Sequence, residues 1–302
     1  MKKDLLTLAD LDAADMDQLL SRARQLKKRH KKGIQDWSLI GKTVGLIFEK
    51  ASTRTRISFQ AAAAQLGGTS LFISSADTQL ARNEPVADTA RVLERYLDAL
   101  VLRTYSQDIQ TEFARVASIP VINALTDLYH PCQVLSDLLT VLEYKGRFQG
   151  LKVAWIGDGN NMAHSWINAA AALGFELVLA CPQNYMPDPA VIQGAGDKRF
   201  IRVVHDPAEA ASAADVINTD VWASMGQEDQ AEARQAVFAP FQVNSGLMAG
   251  AKKDAIVMHC LPAHKNEEIT EEVFEGPQSV VWDQAENKLH MHKAILETLI
   301  NR

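Results

Sequence analysis

The segment TVGLIFEKASTRTRISFQAAAAQLGG, residues 43–68, decides the fold class because it contains a strand, a turn and a helix in that order. Its first six residues, 43–48, are a short apolar run, which predicts a buried strand. Residues 55–66 carry apolar side chains at helical spacing, and Gly67-Gly68 ends the helix. A buried strand that leads directly into a helix is the repeating unit of a parallel α/β sheet.

The same alternation extends in both directions from this segment. A first helix is predicted within residues 8–32, and further strands are predicted at residues 69–74, 98–103 and 120–125, with helices at residues 86–96 and 107–117. A long amphipathic helix is predicted at residues 132–146. Strands then resume at residues 151–156, 175–180, 200–205, 215–220 and 255–260, and a helix closes the chain at residues 284–300. This pattern predicts an α/β fold with two doubly wound parallel-sheet domains, which meet near residues 135–150 and are joined by bridging helices.

Composition limits the classes of partner. The 302 residues include 31 Lys and Arg against 37 Asp and Glu, so the formal net charge is −6. Nucleic acid and anionic membranes require a broad basic surface, so neither is expected, and an anionic ligand must be held by a few focused cations. No apolar run reaches the roughly 18–20 residues that span a bilayer, and acidic residues interrupt the N-terminal segment. The three cysteines are far apart, as expected for reduced thiols in the cytoplasm.

The strongest chemical signal is Ser52-Thr53-Arg54-Thr55-Arg56, between the first predicted strand and its helix. Helix N-terminal N–H groups favour an anion, and hydroxyl and guanidinium groups add hydrogen bonds that fit a phosphate. The alternative is an ordinary N-cap with exposed arginines. Because a cap needs one hydroxyl and the motif offers three, the pattern favours a phosphate site. The motif is not a P-loop, since GxxxxGK[ST] is absent.

Three more candidates follow neighbouring strands in the first half. Arg103 ends the strand at residues 98–103, where a solvated strand terminus and a second anion-binding cation are equally consistent with the sequence. His130 and Gln133 lie at the start of the bridging helix, where a histidine can polarise a carbonyl oxygen and a glutamine offers both a donor and an acceptor. Ligands in this architecture bind beyond the carboxyl ends of the strands, which favours all three.

The second half repeats this placement. Gly-Asp-Gly-Asn-Asn at residues 157–161 is similar to a dinucleotide-binding turn, but Met162 replaces the third glycine, so no nucleotide is expected. Asp220 ends a strand, where it can pair with a ligand ammonium or cap a turn. His259-Cys260-Leu261-Pro262 leaves three interpretations open: a zinc site, a cysteine nucleophile with a histidine partner, or a thiol that tunes a substrate amine. Since finger spacing and HExxH are absent, no metal is expected.

Taken in order, the motifs at residues 52–56, 130–133 and 259–262 resemble those of the aspartate/ornithine carbamoyltransferases, over essentially the whole chain. Residues 157–161, the segment Asp-Val-Trp-Ala-Ser-Met-Gly at residues 220–226, and Cys260 are similar to the ornithine branch. The resemblance implies transfer of the carbamoyl group of carbamoyl phosphate to the δ-amine of ornithine, without a cofactor, a metal or a covalent enzyme intermediate. The alternatives are a carbamoyltransferase for another amine, such as putrescine or an acylated ornithine, and a binding protein without turnover.

The resemblance also implies an architecture. Residues 1–135 would form a carbamoyl phosphate-binding domain, with the C-terminal helix at residues 285–302 packed back on it, and residues 136–284 would form an ornithine-binding domain. The family is usually a homotrimer with sites between subunits. Only the two small-molecule substrates and further copies of the chain are therefore expected as partners.

The resemblance assigns roles residue by residue. Carbamoyl phosphate would contact Ser52, Thr53, Arg54, Thr55, Gln79, Arg103, His130, Gln133, Cys260, Leu261 and Lys288, with Gln79 reaching a neighbouring subunit's site. Ornithine would contact Asn161, Asp220, Ser224 and Met225. Arg103 and His130 would polarise the carbonyl oxygen, and Cys260 would lie beside the δ-amine. Lys288 stands where the family typically has arginine. The lysine keeps the positive charge but lacks the bidentate fork of the guanidinium group.

Overall fold

The computed structural model describes residues 1–74, 78, 84–223 and 231–302. The chain forms two compact units. Unit 1 contains Met1–Leu139 and Glu286–Arg302, and unit 2 contains Thr140–Ala285. Among the described residues, no helix is both long and apolar enough to cross a membrane.

Unit 1 is built on a parallel sheet of four strands in the order β2-β1-β3-β4. The strands are β1 (Thr43–Phe48), β2 (Thr69–Ser74), β3 (Ala99–Arg103) and β4 (Val121–Leu125). The helices that precede or follow them are α1 (Ala13–Lys31), α2 (Thr53–Gln65), α3 (Val86–Leu93), α4 (Gln107–Val116) and α5 (Pro131–Lys145), the last of which continues into the residues of unit 2.

Unit 2 is built on a parallel sheet of five strands in the order β7-β6-β5-β8-β9. The strands are β5 (Lys152–Ile156), β6 (Glu176–Ala180), β7 (Ile201–Val204), β8 (Val216–Thr219) and β9 (Ile256–His259). The helices are α6 (Asn161–Leu173), α7 (Pro189–Gly194), α8 (Pro207–Ala211), α9 (Ala231–Phe238), α10 (Ser245–Met248), α11 (Glu271–Phe274) and α12 (Val281–Ile300), which ends in unit 1. Both sheets are parallel throughout, so the predicted fold class is confirmed.

Strand order determines where a ligand can bind in each unit. The chain crosses from β1 to β2 on one side and then to β3 on the other, so the direction of winding reverses between β1 and β3. In unit 2 it reverses in the same way between β5 and β8. A crevice opens at such a reversal beyond the carboxyl ends of the strands. The motifs singled out in the sequence follow these strands directly.

Burial of apolar side chains fixes each sheet against its helices. In unit 1, Leu100 and Val121 of the sheet are fully buried and belong to one apolar cluster with Phe113 of α4. In unit 2, Ile217 and Val257 form the corresponding cluster with residues of the loops and short helices. Removing this much apolar surface from water is the main term that stabilises each unit.

The N-terminal helix is shorter than the residues 8–32 predicted for it. A single 3-10 turn spans Leu8–Asp10, and α1 begins only at Ala13. Asp12 is the reason, because its side chain accepts a hydrogen bond from the Asp15 N–H at 2.8 Å and so caps a new helix.

Candidate active site

The helix α2 presents the Ser-Thr-Arg-Thr-Arg motif in its first turn. The helix begins at Thr53, two residues earlier than predicted, and Ser52 is its N-cap, accepting a hydrogen bond from the Thr55 N–H at 3.3 Å. Ser52 therefore does serve as a cap. The side chains of Thr53 and Arg54 remain exposed, while Thr55 is buried. The positive end of the helix dipole, the Thr53 hydroxyl and the Arg54 guanidinium group thus lie together at an open helix terminus, while the Thr55 hydroxyl is buried in the same turn.

Arg103 lies at the carboxyl end of β3, and only 6% of it is exposed, which excludes a solvated strand terminus. Two contacts from Glu49, which follows β1, hold the main chain of this residue and of the segment after it. The Glu49 N–H donates to the Arg103 carbonyl oxygen at 2.8 Å, and the Glu49 carboxylate accepts from the Tyr105 N–H at 2.8 Å. The arginine is therefore presented at the edge of the sheet where the direction of winding reverses.

A second buried cation lies near the start of α5. The Lys288 Nζ donates to the Gln133 Oε1 at 2.7 Å, and the Gln133 Nε2 donates to the Asp137 Oδ1 at 2.9 Å. All three residues are buried, with Lys288 6% exposed. The chain of contacts orients the Gln133 amide and holds the lysine charge away from bulk water. Electrostatic interactions are stronger in this buried environment than in water.

His130 is the buried residue that precedes α5. Burial lowers the pKa of its imidazole well below the usual value, and the positive charges of Lys288 and Arg103 lower it further. The ring is consequently neutral near pH 7. It offers a hydrogen bond without adding a third charge, so the positive charge around it comes from the arginine and the lysine.

His292 lies one helical turn after Lys288 on α12 and is fully buried. Its Nδ1 is 2.9 Å from the Ser58 Oγ, and its ring stacks on Phe59 with centroids 3.6 Å apart. Because the Ser58 hydroxyl donates to the Thr55 carbonyl oxygen at 3.1 Å, it accepts from the imidazole. Burial, and then Lys288, lower the pKa of His292 well below its usual value. This histidine therefore joins α12 to α2 in a neutral form.

In unit 2, the loop Gly-Asp-Gly-Asn-Asn after β5 is shaped by a close approach of two chain segments. A Cβ atom on Gly159 would lie 2.2 Å from the Pro187 nitrogen, and the Gly159 N–H donates to the Tyr185 carbonyl oxygen at 2.8 Å. Because a side chain at residue 159 would collide with Pro187, this packing requires a glycine. The glycine therefore needs no nucleotide to explain it.

The two asparagines of this loop have different positions. The Asn160 Oδ1 caps α6, accepting from the Met162 N–H at 2.9 Å, and its Nδ2 donates to the Asp220 Oδ2 at 3.0 Å. Asn161 is the first residue of α6 and is partly buried. Asn160 thus orients the carboxylate of Asp220. The resemblance assigns both Asp220 and Asn161, the neighbour of Asn160, to ornithine.

Asp220 and Cys260 form a direct pair beyond β8 and β9. The Cys260 Sγ donates to the Asp220 Oδ1 at 3.0 Å, and the same oxygen accepts from the Val221 N–H at 2.8 Å. With Asn160 on the other oxygen, the carboxylate is fixed by three donors while the thiol stays partly accessible. A carboxylate and a thiol at this edge can hold a cationic amine and accept its proton.

The interpretation of Cys260 as a nucleophile activated by His259 is not supported, because the histidine is occupied elsewhere. Its Nδ1 accepts from the Leu261 N–H at 2.9 Å, and its Nε2 is 3.0 Å from the Glu268 Oε1. Asp220, His259 and Cys260 do place one potential metal-ligand atom each within 4.8 Å of one another. A metal ion there would have to displace one of the two imidazole contacts, and the absence of a metal stays a prediction.

Arg234 on α9 is a buried cation that the sequence did not mark. Its guanidinium pairs with Asp158 and donates to the Trp222 carbonyl oxygen, and it lies over the Tyr185 ring at 4.6 Å from the centroid. Burial raises the pKa of Asp158 to about 6, against the opposing effect of the arginine. Arg234 therefore joins the loop after β5 to the segment after β8.

Three predicted site residues, Gln79, Ser224 and Met225, lie outside the described residues.

Comparison with known proteins decides the family. The model of the aspartate/ornithine carbamoyltransferase carbamoyl-P binding domain matches residues 3–143, and the model of the Asp/Orn binding domain matches residues 149–299. The chain belongs to the aspartate/ornithine carbamoyltransferase family. The resemblance inferred from the motifs is thereby confirmed.

Individual members of this family match over their full length. The chain is 57% identical to the ornithine carbamoyltransferase of Syntrophus aciditrophicus, with 99% of this chain and 100% of that protein covered. It is 50% identical to the anabolic ornithine carbamoyltransferase of Pseudomonas aeruginosa, covering 99% and 97%. Among solved structures, the ornithine carbamoyltransferase from Pyrococcus furiosus superposes with a TM-score of 0.93 at 49% identity, covering 97% of this chain and 95% of that chain.

Several residues that organise this family member's candidate site were missed by sequence reasoning. They are Glu49, Gln110, Arg234 and His292. Gln110, for example, is fully buried on α4 and donates to the carbonyl oxygens of Leu102 and Leu125 at 3.2 Å, at the ends of β3 and β4. The available signal was weak, because a polar residue on a helix face is ordinarily read as solvated. Only its burial at the strand ends reveals the role.

Three neutral histidines predict acid sensitivity of unit 1. The folded unit holds His130, His290 and His292 without a proton, whereas the unfolded chain binds protons with a pKa near 6.5. The free energy of unfolding should therefore fall as the pH drops below about 6.5, by up to about 1.4 kcal/mol per pH unit for each histidine, until the folded-state pKa is reached. Urea denaturation between pH 7.5 and pH 5 measures this slope.

His292→Gln should reduce the slope by one histidine, whereas His264→Gln, at a side chain that is 53% exposed, serves as the control that keeps it. An unchanged slope in His292→Gln would contradict the assignment.

Proposed function

We propose that the chain transfers the carbamoyl group of carbamoyl phosphate to the δ-amine of L-ornithine and releases L-citrulline and phosphate. The observation that carries the proposal is the division of chemistry between the two sheets. In unit 1 a buried arginine and a helix N-terminus lie at strand ends, and a buried lysine of α12 contacts Gln133. In unit 2 an oriented carboxylate–thiol pair follows the strands. An anionic and a cationic substrate need these two environments. The full-length relatives named ornithine carbamoyltransferase favour the same pair of substrates.

Most residues of the proposed carbamoyl phosphate site belong to unit 1. The first turn of α2, with Ser52, Thr53, Arg54 and Thr55, would bind the phosphate through N–H groups, hydroxyls and the guanidinium group. Arg103 and neutral His130 would donate to the carbonyl oxygen, and Gln133 would hold the amide. Cys260 and Leu261 would add main-chain contacts to that amide, Gln79 would act in a neighbouring subunit's site, and Lys288 would supply charge next to Gln133.

The proposed ornithine site lies in unit 2. Asn161 and Asp220, with Ser224 and Met225 from outside the described residues, would bind the α-amino and α-carboxylate groups. Cys260 would lie at the δ-amine, with its thiol already paired to Asp220. The direction of the reaction is supported by names alone, since two of the similar proteins are called anabolic ornithine carbamoyltransferases.

The chemistry requires a neutral amine. An alkyl ammonium such as that of lysine has a pKa near 10.4, so deprotonation at pH 7 costs about 4.6 kcal/mol unless the site offsets it. In the proposed mechanism the proton leaves towards the Cys260–Asp220 pair, and the free amine attacks the carbamoyl carbon. The new N–C bond forms, the C–O bond to phosphate breaks, and the second proton of the attacking nitrogen passes to the leaving phosphate, which departs as hydrogen phosphate. Arg103 and His130 stabilise the negative charge that develops on the carbonyl oxygen, and holding both substrates in reactive geometry supplies much of the rate.

We further propose that the protein acts in the cytoplasm as a homotrimer. All three cysteines are free thiols, two of them buried, which fits a reducing compartment. The carbamoyl phosphate site would be completed by Gln79 of a neighbouring subunit, so that a monomer would lack one contact. Analytical ultracentrifugation of the purified chain measures the assembly directly.

Activity with different amines tests the proposed function. Purified protein supplied with carbamoyl phosphate and ornithine should form citrulline and phosphate in equal amounts. Putrescine, acetylornithine and aspartate should react at least about 100-fold more slowly, because a site built to bind polar groups rejects substrates that leave those groups unpaired. A faster rate with another of these amines would assign the chain to a different acceptor. Calorimetric binding of carbamoyl phosphate without turnover of any amine would make it a binding protein.

Replacement of the thiol tests the proton acceptor. In Cys260→Ser the hydroxyl can still donate to Asp220, but it binds its proton far more tightly than a thiol. We expect kcat to fall by about 100-fold or more, the scale of a lost general base, with the pH–rate profile displaced. Carbamoyl phosphate should still bind. Cys181→Ala, at a fully buried cysteine of the same unit, is the matched control. Normal turnover with an unchanged profile in Cys260→Ser would contradict the role.

Lys288 provides a test of the buried charge. Lys288→Met removes the cation and its hydrogen bond to Gln133, so kcat/KM for carbamoyl phosphate should fall by about 10- to 100-fold. Lys288→Arg restores the charge and should stay within about tenfold of the parent. Lys28→Met removes an exposed lysine of unit 1 and serves as the control. Equal kinetics for the Lys288→Met and Lys28→Met proteins would remove Lys288 from the site.

A further inference from the structure

The turn that carries Cys260 and Leu261 has a main-chain conformation that needs support. Leu261 has a φ of +62°, in the left-handed region that residues with a branched or bulky side chain rarely adopt. Such a conformation persists only where neighbouring contacts determine it. Both residues are partly buried and directly follow β9.

The contact that supports this turn comes from His259, the residue before Cys260. The Leu261 N–H donates to the His259 Nδ1 at 2.9 Å, so this nitrogen carries a lone pair and no proton. The proton of the ring is therefore on Nε2, which donates to the Glu268 Oε1 at 3.0 Å. A single neutral tautomer satisfies both contacts, and the two side chains are fully buried.

Glu268 is itself anchored by the core of unit 2. Its carbonyl oxygen accepts from the Val243 N–H at 2.8 Å, and the next residue, Ile269, is fully buried in the apolar cluster. Its Oε1 also accepts from the His264 N–H at 2.6 Å. The carboxylate thus contacts both His259, at the start of the segment 259–268, and His264, near its middle. Burying a carboxylate is costly, so its retention here points to a specific task.

We propose that His259 and Glu268 are positioning residues that fix the main chain on either side of Cys260. The imidazole, held by Glu268, keeps the Leu261 N–H in place, and the turn keeps the Cys260 thiol on Asp220 and the carbonyl groups of Cys260 and Leu261 at the edge of the sheet. The inference rests on the proposed function, because carbamoyl transfer is its kinetic readout.

The same geometry distinguishes positioning from a proton relay. In a relay, the Cys260 thiol would pass its proton to the imidazole and Glu268 would stabilise the resulting imidazolium. The only lone pair of the ring, on the His259 Nδ1, is already filled by the Leu261 N–H. Glu268 is therefore needed as a hydrogen-bond acceptor and not as a charge.

The decisive experiment compares Glu268→Gln with Glu268→Ala in kcat/KM for ornithine across pH. The glutamine oxygen can accept both hydrogen bonds without a charge, so Glu268→Gln should remain within about threefold of the parent with the same pH profile. Glu268→Ala releases the imidazole and the turn, so kcat/KM should fall by about 10- to 100-fold, as for a shift of about 1 Å at a reacting group. A strong loss in Glu268→Gln with a displaced pH profile would establish a relay and overturn the proposal.

A matched control separates positioning from general loosening of the core. Val178→Ala removes a fully buried side chain from the same apolar cluster at β6, remote in sequence from this turn. If Val178→Ala and Glu268→Ala lowered the melting temperature and the activity equally, positioning would be wrong. We expect comparable melting temperatures and loss of activity only in Glu268→Ala.

Substitutions at His259 keep the test informative if Glu268→Ala does not fold. The side-chain oxygen of His259→Asn can accept from the Leu261 N–H, whereas His259→Leu cannot. We expect the asparagine variant to retain at least about tenfold more activity than the leucine variant. Equal activities would overturn the proposal.

Nitrogen-15 NMR of the full chain checks the tautomer without reference to activity. The ring signals that disappear in His259→Asn should show an unprotonated Nδ1 and a protonated Nε2. The opposite tautomer would overturn the inference. A parent protein with this tautomer but no citrulline formation would contradict the proposed function alone.

Discussion

The buried positive charge of Arg103 and Lys288 is the constraint on which unit 1 depends. Two like charges removed from water are costly unless neighbouring groups compensate. Gln133 and Asp137 form a chain of contacts that offsets the lysine charge, and burial keeps His130 neutral, so that no third charge is added. The remaining positive potential, together with the N-terminus of α2, suits an anionic ligand.

Unit 2 meets the opposite requirement with the same kind of sheet. Asp220 is held by Asn160, the Val221 N–H and the Cys260 thiol, so its carboxylate is oriented before any substrate arrives. Preorganised groups of this kind cost no rearrangement when charge develops. The formal net charge of −6 averages over both environments and excludes polyanion partners without revealing either site.

Most of the fold could be predicted because strand and helix periods are local properties of the chain. Each strand among the described residues lies within its predicted range, and the order of motifs placed Arg103, Asp220 and Cys260 at strand ends and His130 at the start of α5. The errors concern where two helices begin, and their cause is local. Asp12 begins a new helix inside the predicted first one, and Ser52 starts α2 two residues early, because a side-chain oxygen that binds a free helix N–H outweighs apolar periodicity at a helix end.

The sequence by itself determined the fold class, the family and the residue types at each strand end, because these depend on hydrophobic period and on motifs that are contiguous in the chain. Only the tertiary structure decided which of these residues are buried and which partner holds each one. His292 reaches Ser58 over 234 positions and Lys288 reaches Gln133 over 155. A hydrogen bond between residues so far apart leaves no periodic trace in the sequence. Burial likewise results from packing of the whole unit, and it is burial that makes His130 neutral and shelters Arg103 from solvent.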